Sequence, residues 1–189
     1  MGATCSGQGS AFVSGSSAYP FKILLLGEPG VGKTFLLRCW QSGIHNVTEP
    51  LTSTTHFNVG MIKTANGLVF MVYDLAGDIG LRLRPFLDGT EGVIYMFKAA
   101  GVIRDDDERT LEQLLRERDL ENAPILFVSR TTENVPSESV LSEKLLSKLD
   151  GRRWDMTVLE DSSQESANLV LSMLEKLLRH NNQNQTEDR

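Results

Sequence analysis

The sequence predicts an α/β fold: a six-stranded, mainly parallel sheet with one antiparallel edge strand and helices on both faces. Short apolar runs alternate along the chain with segments whose apolar residues recur at helical spacing. This alternation is typical of parallel strands joined by crossover helices. The dipeptide Asn66-Gly67 separates two strand-like runs, which indicates a β-hairpin and therefore one antiparallel pair of strands.

Strands are predicted where the sequence is compact and apolar, as in strands buried on both faces. These runs are Phe21–Leu26, Val69–Tyr73, Gly92–Phe97, Pro124–Ser129 and Trp154–Leu159. Helices are predicted where apolar residues follow a helical period, at Thr34–Gln41, Glu108–Arg118, Ser139–Leu149 and Ala167–Leu178. The hairpin joins His56–Thr64 to Leu68–Asp74 through a predicted type I′ turn. The acidic run Asp105-Asp106-Asp107-Glu108 is interpreted as a helix start, where acids suit the helix dipole.

The two ends of the chain lack these patterns. Residues 1–20 are rich in Gly, Ser and Ala and are predicted to form a flexible leader. Residues 181–189 are polar throughout and are predicted to form a disordered tail. Since there is no internal repeat between them, we expect one ordered domain at 21–180.

The composition is that of a soluble globular chain, with 40% hydrophobic and 23% charged residues among 189. Its 19 basic and 25 acidic residues give a net charge of −6, which argues against nucleic acid as the main partner. The two cysteines cannot form a disulfide framework, and no apolar run approaches the ~18 residues that cross a bilayer. We therefore expect a cytoplasmic protein, unless a lipid holds it on a membrane.

A phosphate-binding loop is predicted directly after the first strand. The segment reads Gly27-Glu28-Pro29-Gly30-Val31-Gly32-Lys33-Thr34, which is the Walker A pattern in the strand-to-helix setting that makes it specific. Glycines let backbone N–H groups wrap phosphate oxygens, and the N-terminus of the next helix favours negative charge. Lys33 is expected to bridge the terminal phosphates and Thr34 to give its hydroxyl to Mg²⁺, whereas Pro29 supplies no N–H.

Three further segments resemble one family in their order and spacing. They are Thr54-Thr55-His56-Phe57-Asn58-Val59, Tyr73-Asp74-Leu75-Ala76-Gly77, and the run from Arg84 to Ile94. The first resembles switch I and the second resembles the start of switch II in the Arf and Arf-like GTPases. The third resembles the stretch that leads into their fourth strand. The likeness spans roughly residues 21–180. It implies a P-loop NTPase with the Ras-like small GTPase fold, which binds GTP or GDP with Mg²⁺.

The resemblance also implies roles for single residues. Thr54 would coordinate Mg²⁺ together with Thr34 and close on the γ-phosphate, while Asp74 would hold a metal-bound water. The N–H of Gly77 would sense the γ-phosphate, because a glycine there can flip as the loop rearranges. Loss of these contacts on hydrolysis is what releases the switch loops in such proteins.

Three aromatic residues point to a partner site. Phe57, Tyr73 and Phe86 fall at the positions of a hydrophobic triad that touches effectors in Arf-like proteins. An exposed aromatic cluster beside the switch segments suits a protein partner. For Tyr73, a place in the hydrophobic core is an equally good interpretation.

The sequence departs from the family pattern at the hydrolytic position and in the base-reading loops. Asp78 follows Gly77 where active GTPases place a glutamine that orients the attacking water, so we assign no catalytic residue and expect slow hydrolysis. Ser129-Arg130-Thr131-Thr132 replaces the guanine-reading Asn-Lys-x-Asp motif. Thr132 offers no charged bidentate acceptor, whereas Arg130 can stack over the base. Ser162 either contacts the base through its backbone or belongs to a solvated turn that caps the last helix.

The N-terminus carries a lipidation pattern. Met1-Gly2-Ala3-Thr4-Cys5-Ser6 fits N-myristoylation of Gly2. Cys5 lies close enough for a second, reversible acyl chain, and stable anchoring needs such a second signal. The other interpretation is a leader without lipid.

The leading functional hypothesis is an Arf-like, Mg²⁺-dependent guanine-nucleotide switch that recruits a protein effector, with an exchange factor and an activating protein as regulators. The alternative is a pseudo-GTPase that keeps the fold as a scaffold or adaptor and binds nucleotide weakly or not at all. The least favoured is a P-loop ATPase or small-molecule kinase, because the sequence shows no Arg-rich lid and no substrate domain.

Overall fold

The computed structural model describes residues 19–43, 47, 54–77, 80–98, 103–130, 141–159 and 162–184. Its strands are β1 (Phe21–Gly27), β2 (Phe57–Lys63), β3 (Val69–Leu75), β4 (Gly92–Lys98), β5 (Ile125–Arg130) and β6 (Trp154–Leu159). Its α-helices are α1 (Lys33–Ser42), α2 (Asp105–Leu115), α3 (Glu143–Lys148) and α4 (Gln164–Asn184). Two 3₁₀ segments, Gly80–Phe86 and Arg118–Leu120, precede β4 and β5.

The strands form one sheet in the order β2-β3-β1-β4-β5-β6. β2 pairs antiparallel with β3 at the edge, and the remaining neighbours pair in parallel, so the predicted fold class is confirmed. β1 lies between β3 and β4, which is the point where the strand order reverses. Ligands of such sheets bind outside the carboxyl ends of the strands at this point. The loop that follows β1 lies there.

Both faces of the sheet carry a hydrophobic core. Ile23 and Leu25 of β1 pack in the cluster that includes α1 and α4, while Leu24 and Leu26 pack in the cluster that includes α2 and α3. Alternate residues of a strand point to opposite faces, so the unbroken apolar sequence of β1 serves both cores. Each such buried side chain contributes about 1.5–3 kcal/mol to folding. The end of β1, and with it the start of the loop, is therefore held rigidly.

The hairpin between β2 and β3 forms as predicted, but its turn is of another type. The N–H of Gly67 donates to Thr64 O at 3.0 Å and the N–H of Thr64 donates to Leu68 O at 2.9 Å. Within the described residues only glycines have positive φ, and Gly67 is one of them at 85°. A type I′ turn needs positive φ at both central residues, so the type I′ prediction is wrong. The loop is instead a turn over Thr64–Gly67 that ends in a left-handed glycine.

All four helices differ from their predicted bounds. α1 is one residue longer at each end, and α3 begins at Glu143, where Ser142 caps it, and not at Ser139. α2 begins at Asp105 because its first turn takes in the acidic residues, as suits the positive end of the helix dipole. α4 continues to Asn184 and takes in the first residues of the segment predicted to be a disordered tail. The helix persists because no glycine or proline interrupts 179–184. In the described part of the chain, no helix has both the length and the apolar character needed to cross a membrane.

Candidate functional site

The loop after β1 has the backbone shape of an anion-binding loop. Gly30 and Gly32 have positive φ, at 70° and 107°, and α1 begins directly afterwards at Lys33. Residues with side chains rarely adopt these angles, so the glycines of the motif are required by the path of the loop. Alternation of left- and right-handed residues directs successive N–H groups to one side, and the helix N-terminus adds positive potential there.

Lys33 lies along the inner side of this loop. Its side chain is buried, and Nζ donates to Gly27 O and to Glu28 O, both at 2.8 Å. The ammonium group is therefore positioned by the first two residues of the motif. This places a fixed positive charge at the loop that the sequence assigns to phosphates.

Three oxygen-bearing side chains converge next to Lys33. Thr34 Oγ1 donates to Asp74 Oδ2 at 2.6 Å and lies 2.8 Å from Thr54 Oγ1. Thr54 Oγ1 lies 3.4 Å from the same carboxylate oxygen. The three residues come from α1, the segment before β2, and β3. The structure thus brings together the residues that the sequence assigned to magnesium.

The chemistry of this group fits a hard divalent cation. Asp74 is fully buried, and its Oδ1 has no hydrogen-bond partner among the described residues. An ionised carboxylate oxygen buried without a partner is costly, and a cation would compensate it. Mg²⁺ is commonly held by one or two protein carboxylates, with waters and substrate phosphates completing an octahedron. Hydroxyl and carboxylate oxygens around one point are therefore a suitable partial ligand set.

Asn58 belongs to the same cluster, although sequence reasoning gave it no role. Its Nδ2 donates to Asp74 Oδ2 at 3.0 Å, and the two residues face each other in the β2–β3 register. The predicted hairpin did not show this contact, because a two-residue turn at Asn66-Gly67 would pair Asn58 with Leu75, whereas the observed register pairs it with Asp74. Asn58 orients the carboxylate and leaves Oδ1 for another group.

The start of the second switch-like segment packs directly on the loop. A Cβ at Gly77 would collide with the backbone N of Pro29. Gly77 is thus within contact distance of the loop. Asp78, the residue that replaces the usual glutamine, lies outside the described residues, as do Gly2 and Cys5.

We call Gly27–Thr34 with Thr54 and Asp74 the phosphate half of the site, and Ser129, Arg130, Thr132 and Ser162 the base half. Arg130 ends β5, and its guanidinium donates to Val31 O at 3.1 Å and to Ser162 Oγ at 3.0 Å. It also crowds Gly32, where an added Cβ would lie 2.5 Å from Arg130 Nη1. Ser129 is buried, and its Oγ has no hydrogen-bond partner among the described residues. Thr132 lies outside the described residues.

Phe57, Tyr73 and Phe86 form one cluster beside the phosphate half. The ring centroids of Phe57 and Phe86 are 5.0 Å apart, and those of Tyr73 and Phe86 are 6.1 Å apart. Phe57 is 47% exposed, whereas Tyr73 and Phe86 are half-buried. Val59 and Met61 extend the exposed apolar surface along the edge strand β2. Tyr73 therefore joins the surface cluster and also packs at the border of the core.

An ionic network of two buried carboxylates and Arg104, whose side chain is 62% exposed, lies beneath the loop, and sequence reasoning missed it. Glu28 is 4% exposed; its Oε1 accepts the Lys98 N–H at 2.9 Å and its Oε2 lies 2.8 Å from Arg104 Nη2. Arg104 Nε donates to Asp107 at 3.1 Å, and Tyr95 Oη donates to Asp107 at 3.2 Å. Asp107 is therefore a buried partner of Arg104, in addition to being an acid at a helix start. We call these four side chains the Glu28–Arg104 network.

The network perturbs the titration of its members. Burial, and then the charge of Asp107, raise the pKa of Glu28 against the opposing effect of the Lys98 N–H. The hydrogen bond to Asp107, followed by the charge of Glu28, raises the pKa of Arg104, which therefore stays a cation. Burial and the charge of Asp107 raise the pKa of Tyr95, so its hydroxyl remains a neutral donor.

Comparison with known proteins agrees with this geometry. The model of the ADP-ribosylation factor family matches residues 12–180. The chain is 36% identical over 87 residues to the Ras-related protein Rab-42 of Mus musculus, an alignment that covers 42% of this chain and 40% of that protein. It is 28% identical over 130 residues to the GTP-binding protein RAD of Homo sapiens, which covers 67% of this chain and 42% of that protein. The chain thus spans about two-fifths of the length of these relatives. The family match extends over most of the chain and includes the phosphate loop, both switch-like segments and the full sheet. The protein therefore belongs to the ADP-ribosylation factor family, as a divergent small GTPase.

Proposed function

We propose that this protein is a Mg²⁺-dependent guanine-nucleotide switch that recruits a protein effector and hydrolyses GTP slowly. One observation carries the proposal: Thr34, Thr54 and Asp74 meet beside the phosphate loop, with one buried carboxylate oxygen of Asp74 left for a cation. These residues come from segments that are distant in sequence. A fold that needed only stability would not require three oxygen ligands at this point.

Each half of the site has a separate task in this proposal. The loop N–H groups and Lys33 would bind phosphate oxygens, Thr34 and Thr54 would give hydroxyl oxygens to Mg²⁺, and Asp74 would hold the metal through a water. When bound, the metal neutralises charge on the terminal phosphates. Arg130 fixes the end of β5 against the loop, so its aliphatic stem is the part that faces a base.

Slow hydrolysis follows from the sequence at the position after Gly77. A glutamine there orients water, whereas the carboxylate of Asp78 brings negative charge toward a phosphoryl group that is itself gaining negative charge. The nucleotide state would then be set mainly by exchange and by partner proteins. A partner that supplies a water-orienting group or a cation would be needed for rapid turnover.

The deciding experiment measures the nucleotide that copurifies with the full chain, and then the dissociation constants of GTP, GDP and ATP with Mg²⁺ and with EDTA. We expect GTP and GDP to bind in the presence of Mg²⁺ and to bind more weakly with EDTA. Preference for ATP would overturn the assignment of guanine. Absence of binding by all three would overturn the switch.

A scaffold without regulated nucleotide binding is the second candidate, and the base half favours it. Arg130 is already bonded to Val31 O and Ser162 Oγ, and Ser129 is too short to take the place of the family asparagine. The loss of a charge-assisted hydrogen bond at Thr132 would cost about 1.5–3 kcal/mol. Equal and weak affinity for GTP, GDP and ATP in the binding experiment would support the scaffold.

The effector would bind the aromatic cluster and the outer face of β2. Phe57, Val59 and Met61 are 44–55% exposed on one face of an edge strand, and Phe57 follows Thr54 by three residues. Any change of Thr54 with the nucleotide is therefore passed to this surface. Hydrogen–deuterium exchange of 54–63 should differ between protein loaded with a non-hydrolysable GTP analogue and protein loaded with GDP. Identical exchange in both states would contradict a switch at this surface.

A further inference from the structure

Glu28 links the phosphate loop to two other elements. Its N–H donates to Met96 O at 3.1 Å and its Oε1 accepts from the Lys98 N–H, so backbone and side chain both bind the end of β4. Its Oε2 reaches Arg104, which directly precedes α2. The loop thus contains a buried acid behind the surface that faces phosphate.

A buried acid at this place is unfavourable for binding an anion. Coulomb repulsion between two charges in a medium of low effective dielectric is several times stronger than in water. Asp107 adds a second carboxylate to the same network, and Arg104 is its one cation among the described residues. Two carboxylates and one guanidinium give a formal charge of −1, and removal of Arg104 would make it −2.

We infer that Arg104 is a positioning and charge-balancing residue for the phosphate site, which sets the affinity for polyphosphates by neutralising Glu28 under the loop. The inference rests on the proposed function, because it requires that the chain bind a nucleoside polyphosphate. Arg104 acts through Glu28 and touches no ligand in this scheme. Because the effect is electrostatic, it should grow with the charge of the ligand.

A merely structural role for Arg104 gives a different result. If Arg104 only fastened α2 to the loop, Glu28→Gln would break the same contact, so the double variant should bind no better than Arg104→Gln does. If charge balance is what matters, the double variant Glu28→Gln/Arg104→Gln has the same formal charge as the wild type, and affinity should return. Recovery of affinity in the double variant relative to Arg104→Gln therefore distinguishes charge balance from a structural role.

The surroundings of Arg104 allow the substitutions. A cavity of about 370 Å³ lies between the loop, the 3₁₀ segment Gly80–Phe86 and α2, and Glu28, Arg104 and Asp107 line it. Gln and Lys at position 104 are smaller than Arg and have room there. Arg104→Lys keeps the charge but loses the fork that reaches two carboxylates, so it separates charge from geometry.

The experiment measures dissociation constants of GTP, GDP and GMP with Mg²⁺ by titration calorimetry. Its variants are Arg104→Gln, Arg104→Lys, Glu28→Gln and Glu28→Gln/Arg104→Gln. Arg109→Gln is the matched control, because it removes one positive charge from the same helix at a 72% exposed side chain that pairs with Asp106. The melting temperature of each variant without nucleotide shows whether it folds.

We expect Arg104→Gln to weaken GTP binding about ten-fold, GDP binding less and GMP binding least. Arg104→Lys and the double variant should recover most of the affinity, and Arg109→Gln should bind as the wild type does. Wild-type affinity in Arg104→Gln would overturn the inference, as would a double variant that binds no better than Arg104→Gln. A wild-type chain that binds no nucleotide would contradict the proposed function and this inference with it. If the wild type binds nucleotide and Arg104→Gln binds it with the same affinity, only the inference is contradicted.

Discussion

The two halves of the site differ in how their polar groups are satisfied. In the phosphate half, Thr34, Thr54 and Asp74 meet at 2.6–3.4 Å and still leave a buried carboxylate oxygen without a protein partner. In the base half, the guanidinium of Arg130 is bonded to Val31 O and Ser162 Oγ, and the buried group left without a partner among the described residues is the neutral hydroxyl of Ser129. The unpaired group of the phosphate half is thus a carboxylate that suits a cation, whereas the cation of the base half is already bonded within the protein. We therefore expect charge recognition and base recognition to be separable in this fold.

The largest effect should come from Lys33→Ala in the phosphate half. This change removes the ammonium that we propose binds the terminal phosphates, and it also releases the carbonyls of Gly27 and Glu28 that hold the ammonium in place. Loss of the charge-assisted bonds between this ammonium and the phosphates should weaken GTP and GDP binding about 100-fold or more, which is about 3 kcal/mol. Titration calorimetry measures this, with the exposed Arg109→Ala as control. Retention of wild-type affinity by Lys33→Ala would show that the two halves are not divided as described.

A smaller effect is expected for Asp74→Asn, which keeps the size of the side chain and removes its charge. The hydroxyls of Thr34 and Thr54 still find an amide oxygen, but the site loses the carboxylate that favours a divalent cation. GTP affinity with Mg²⁺ should fall about ten-fold and approach the value measured with EDTA. Asp88→Asn, at an exposed position, is the charge-matched control. A variant that still responds to Mg²⁺ as the wild type does would place the metal elsewhere.

Arg130→Ala tests the base half and should have a weaker and less selective effect. Arg130 ties Val31 of the loop to Ser162, so its loss should loosen both without removing a charge that faces phosphate. We expect GTP, GDP and ATP affinities to fall by similar factors of about three to ten, with their ratios unchanged. Competition binding with the three nucleotides measures this. A loss confined to guanine nucleotides would show that Arg130 reads the base directly.

Features made by contiguous residues could be predicted from the sequence, whereas contacts between residues that are distant in the chain could not. The phosphate loop is contiguous, so its residues and their strand-to-helix setting were visible at once, and the alternation of elements was enough for the sheet. Asp74 and Asn58 meet through a register that only the folded hairpin shows. Arg104 lies 76 residues after Glu28, and the packing of α2 against β4 brings them together. Asp107 fits the first turn of any helix, and only its contact with Tyr95 shows that it is buried.

The smallest effect should be a pH dependence of stability, which contrasts the buried acid under the phosphate half with an acid on α2 that is paired with two lysines. The pKa of Glu28 is raised above its ordinary value of 4.5, so the folded chain binds that proton more tightly than the unfolded chain does. The contribution of Glu28 to stability therefore falls as the pH rises from 4.5 through its raised pKa. Glu28→Gln lacks this titration, so its stability relative to the wild type should increase over the same window. Urea unfolding from about pH 2 to pH 8 measures the difference and also covers the range in which the control described next titrates.

Glu112 on α2 supplies a control of opposite sign. Hydrogen bonds from Lys144 and Lys148 lower its pKa to about 2. Its contribution to stability is therefore complete above pH 4.5 and is lost as the pH falls toward 2. Relative to the wild type, Glu112→Gln should be least stable near neutral pH and should approach wild-type stability in acid. A flat difference for Glu28→Gln alongside this response for Glu112→Gln would show that burial under the loop does not disfavour the ionised form of Glu28.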